Sequence, residues 1–68
     1  MNQDSLNMQV RKFLKKVGIS SQRHIETAVE QAVKDGKIAE GDEITATMTL
    51  SIPKLEVSVE IQDRIKID

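Results

Sequence analysis

The stretch that most limits the fold is residues 44–61, where apolar and polar side chains take strict turns. Ile44, Ala46, Met48, Leu50 and Ile52 alternate with Thr45, Thr47, Thr49 and Ser51. After Pro53 and Lys54 the alternation resumes, with Leu55, Val57, Val59 and Ile61 on one side and Glu56, Ser58, Glu60 and Gln62 on the other. A period of two is the signature of a strand with one greasy face. The spacing predicts a hairpin pairing Ile52 with Leu55, Leu50 with Val57 and Met48 with Val59, which sets Thr47 against Glu60 and Thr49 against Ser58. A one-residue slip would turn Glu56 and Glu60 onto the apolar face, so the side chains themselves oppose it. A hairpin alone is marginal in water and its apolar face needs a cover.

Upstream, the period changes to that of a helix. Leu6, Val10, Phe13, Leu14 and Val17 fall at steps of four, three, one and three, an amphipathic stripe with Asn7, Arg11, Lys12, Lys15 and Lys16 on other faces. Asp4 or Ser5 is the expected N-cap. Gly18 reads as the left-handed residue after the last turn, with Ile19 folding back as the hydrophobic contact of a Schellman stop. Ser20 or Ser21 then caps a second helix whose apolar positions are Ile25, Ala28, Val29, Ala32 and Val33. Gly36 ends that helix, Ile38 repeats the role of Ile19, and Gly41 with Asp42 breaks the chain before the first strand. Ile65 and Ile67 keep the phase of the second strand beyond Asp63 and Arg64.

The expected fold is therefore a single α+β domain over residues 1–68, in the order helix, helix, strand, strand (ααββ), with two amphipathic helices packed on one face of an antiparallel β-hairpin. Its expected core is Leu6, Val10, Phe13, Leu14, Val17, Ile19, Ile25, Ala28, Val29, Val33, Ile44, Met48, Leu50, Val57, Val59 and Ile61. Sixty-eight residues without a cysteine lie near the lower limit for folding without staples, so packing or oligomerisation has to supply the stability. The first strand carries no charge between Ile44 and Ile52, which makes residues 45–51 the expected edge of a homodimer with a four-stranded sheet.

With the elements placed, the run Arg11-Lys12-Phe13-Leu14-Lys15-Lys16-Val17-Gly18-Ile19-Ser20-Ser21-Gln22-Arg23 resembles a family of short bacterial proteins of unknown function. The likeness continues through Glu26, Ala28 and Val29, the Gly36-Lys37 stop and the Met48-Thr49-Leu50 strand. It implies a compact intracellular bacterial domain and brings no catalytic or binding residues with it.

Charge supplies the main functional hint. Residues 1–25 hold five basic residues against one acid, while residues 26–68 hold five against ten, although the whole chain sums to −1. Such polarity steers an anionic partner to one end or lets identical subunits attract. The leading reading is a non-enzymatic interaction module that self-associates, with a homodimer or an unidentified protein as partner. The alternative is a small nucleic-acid-binding protein using a helix-turn-helix-like segment over residues 5–33, since Val17-Gly18-Ile19-Ser20 has the shape of that motif's turn. There Ser21, Gln22, Arg23 and Thr27 would face a major groove, and Arg11, Lys12, Lys15 and Lys16 would meet phosphates. The bulky Leu14, and His24 where an apolar residue belongs, depart from the motif.

Other chemistries find little support. His24 is the sole histidine, and Glu26, Glu30 and Asp35 are spaced as surface acids rather than as its co-ligands. Glu40, Asp42 and Glu43 lack the ligand rhythm of a calcium loop. Ser20, Ser21 and His24 adjoin in sequence without the line of nucleophile, base and acid that acyl transfer needs. Glycines at 18, 36 and 41 are too far apart for a phosphate loop. A single aromatic, Phe13, offers no stacking platform. No enzyme activity and no cofactor are expected. No apolar run approaches the roughly 20 residues of a membrane span, no secretory signal is visible, and the basic first helix is expected to bury its stripe on the hairpin rather than in a membrane, so the expected location is the cytoplasm.

Overall fold

The computed structural model describes residues 1–68, as two compact units, Met1–Lys37 and Ile38–Asp68. The first is one continuous helix, α1 (Gln3–Lys34), in place of the two expected. Gly18 sits inside it and terminates nothing. A glycine in a helix interior costs only about 1 kcal/mol relative to alanine, and no proline lies nearby to add a break. The stripe, moreover, passes through the junction unbroken. Val17, Ser21 and Ile25 are four residues apart, and each is half-buried. Ser20 and Ser21 are accordingly helix-interior residues and cap nothing, and Ile19 is 55% exposed instead of folding back. The N-cap is Asn2, two or three residues before the expected Asp4 or Ser5, and its side chain accepts the Ser5 N–H at 3.0 Å.

The C-terminal end behaves as the sequence implies. Asp35 is the C-cap, and Gly36 follows with φ of +75°. The Gly36 N–H donates to the Val33 carbonyl at 3.1 Å and that of Lys37 to Ala32 at 2.9 Å, the paired bonds of a Schellman stop.

The second unit is an antiparallel hairpin of β1 (Glu43–Ile52) and β2 (Val57–Lys66), joined by a 3₁₀ turn at Pro53–Leu55. Its register differs from the expected one by two residues: Ile52 pairs with Val57, Leu50 with Val59, Met48 with Ile61 and Ile44 with Ile65. Thr47 consequently opposes Gln62, and Thr49 opposes Glu60. The cause is Pro53. A two-residue hairpin loop needs a positive φ at its first position, which the proline ring forbids. Pro53 starts a 3₁₀ turn instead, and the left-handed residue comes at Glu56, with φ of +54°. A shift of two preserves the faces. The apolar residues still share one side, with the small Ala46 opposite Asp63.

No residue of α1 is buried, and neither is any member of the expected core. Phe13 and Leu14 are each 54% exposed, and Ile61 reaches 62%. The only buried residue is Ile67, at 7%, which lay outside the expected core. Its N–H donates to the Asp42 carbonyl at 2.8 Å and its own carbonyl accepts from Gly41 at 2.6 Å, so the segment entering β1 is tied to the segment leaving β2. Asp42 is itself held in a turn, its carboxylate accepting the Ala39 N–H at 2.9 Å.

Candidate functional site

At about 100° per residue, a continuous α1 brings most of the candidate contact residues to one side. Arg11, Lys15, Lys12, Arg23 and Lys16 fall within an arc of roughly 140°, spread over about 18 Å of helix axis. Gln22 lies at the edge of the same arc and donates to Glu26 Oε1 at 2.7 Å. Ser21 does not join them. It belongs to the apolar stripe with Val17 and Ile25 and is half-buried.

The five cations have no carboxylate partner, the one ion pair in the chain being Arg64 with Glu43 at 3.7 Å in the hairpin unit. Lys12, Lys15, Lys16 and Arg23 line an open surface depression of about 600 Å³ together with Ile19, Ser20 and His24. Ile19 is thus an apolar residue set among cations, and Met8, 71% exposed, stands one helical stretch before it on the same side. Ile19 takes this place because α1 runs unbroken through Gly18, in place of the stop expected there.

This arrangement supplies positive charge and modest apolar contact, and little else. No hydrogen bond joins Ser20 or Ser21 to His24. Nowhere do three histidine or acidic side chains gather as metal ligands would. The helix-turn-helix expected over residues 5–33 is not formed, because its turn is helical and there is no separate recognition helix to present Ser21, Gln22 and Arg23. No helix is long and apolar enough to cross a membrane.

Fold and surface together define an α+β chain in which a long amphipathic helix with a polybasic side precedes a two-stranded hairpin. The chain belongs to the family of unknown function DUF6494, which it matches over residues 1–68. No curated protein and no solved structure matches it.

Proposed function

We propose that the chain is a non-enzymatic interaction module that completes its core by self-association. One observation carries this reading: Ile67 is the only buried hydrophobic residue. Alternating strands and a 32-residue amphipathic helix are sequence investments in burial, and a second copy is the simplest way to realise it. The two-stranded sheet also leaves one edge of β1 free for a further strand, as the uncharged residues 45–51 invite. The cysteine-free sequence suits the cytoplasm.

Thermal melting followed by circular dichroism tests this, because subunit association makes the midpoint depend on protein concentration. The midpoint is expected to climb over a roughly hundredfold rise in concentration. A constant midpoint contradicts the proposal.

A second reading, nucleic-acid binding, is favoured by the five unpaired cations on one side of α1. Contacts from such a face go to phosphates and carry no sequence preference.

A further inference from the structure

The stripe on α1 follows an eleven-residue repeat once Gly18 is taken as helical. From Val10 the steps to Leu14, Val17 and Ser21 are four, three and four, and from Ser21 those to Ile25, Ala28 and Ala32 are the same. Eleven residues in three turns nearly match a straight α-helix, so such a stripe stays on one side along its whole length and suits a long, almost untwisted helix pair.

The side chains along it are graded in size. The first half carries Leu6, Val10, Phe13 and Leu14, while the second carries Ser21, Ala28 and Ala32 with Ile25 its one bulky member. Two parallel copies would crowd bulky residues at one end and leave small ones facing a gap at the other, which close packing disfavours. Antiparallel copies match large with small towards both ends, while Phe13 meets Ile25 nearer the middle. Leu6 then meets Ala32, Val10 meets Ala28, and Val17 meets Ser21 beside the two-fold axis.

Charge favours the same direction. Arg11 borders the stripe and has no acidic partner of its own. Parallel pairing sets it beside its own copy, whereas antiparallel pairing about residue 19 separates the two by roughly 24 Å, well past the screening length at physiological salt.

We propose that a second copy of this chain covers the α1 stripe as an antiparallel helix pair, with Leu6 of each copy against Ala32 of the other. This rests on the self-association reading and names its seam. The pairing leaves Lys12, Lys15 and Arg23 on the outside of both helices.

Because the chain has no cysteine, introduced thiols report position unambiguously. Leu6→Cys and Ala32→Cys are made separately, mixed in equal amounts, allowed to exchange subunits and oxidised, with Lys12→Cys as a control on the opposite side. Disulfides form only where Cβ atoms come close. The antiparallel pair links residue 6 to residue 32 in the mixture, up to roughly half of the chains, and links neither variant to itself. Each variant linking to itself overturns the antiparallel direction. Oligomers in sedimentation without any link at 6 or 32, or linking only at Lys12→Cys, overturn the stripe as the seam and leave self-association standing. Monomers throughout remove both.

Discussion

Asp42 and Ile67 face each other across the open end of the hairpin, the Ile67 N–H donating to the Asp42 carbonyl at 2.8 Å. This bond lies one residue past the last paired residue of β2, and it holds the one buried side chain in the chain. Removing that side chain takes away the hairpin unit's only buried residue. Ile67→Ala is expected to cost about 2 kcal/mol, toward the low end for a buried isoleucine, since the site is small and near solvent. Chemical denaturation measures it. A neutral result would mean the end is held by backbone bonds alone.

The two glycines of the helix unit respond oppositely to a methyl group. Gly18 is helical, and a Cβ there meets nothing within 4 Å. Gly36 has a left-handed φ of +75°. Gly18→Ala should therefore stabilise by about 0.5–1 kcal/mol through helix propensity, and Gly36→Ala should destabilise by about 1 kcal/mol. Thermal melts of both variants check the pair. A lowered midpoint for Gly18→Ala would contradict a continuous α1.

Glu56 pays for the hairpin turn, with a φ of +54° that a side chain seldom adopts. Glu56→Gly is expected to raise stability by about 0.5–1 kcal/mol by relieving that strain. Denaturation midpoints decide the sign, and a loss of stability would show that the carboxylate contributes more than its backbone costs.

If the polybasic side of α1 holds nucleic acid, binding must weaken as salt rises, because phosphate contacts release condensed counterions. Replacing Lys12, Lys15 and Lys16 together by Gln should flatten the plot of log K against log salt by roughly 2–3 units. Fluorescence anisotropy with random duplex and single-stranded probes gives the slope. No binding by the unmodified chain at low salt ends this reading.

Much of this architecture was legible in the residues, and the failures have specific causes. Strand positions followed from the alternation around Met48 and Val59, and the helix stop from Gly36. The register failed because alternation fixes only parity. Pro53, incompatible with a two-residue loop, held the missing information. The expected stop at Gly18 fails because the continuity of Val17, Ser21 and Ile25 across it outweighs the glycine. Only the unbroken helix sets Ile19 among the lysines and Ser21 in the apolar stripe. The expected core fails in every member, none of which is buried, because periodicity says which side seeks cover and not what covers it. Phe13 and Leu14, both 54% exposed, make that distinction plain.

Self-association is the claim on which the rest turns, and sedimentation equilibrium reads it most directly. At about 100 micromolar, mass action should hold the chain as a dimer or a higher oligomer, with a mass at least twice the monomer's and falling on dilution. A mass of 7.6 kDa at every concentration would contradict the account.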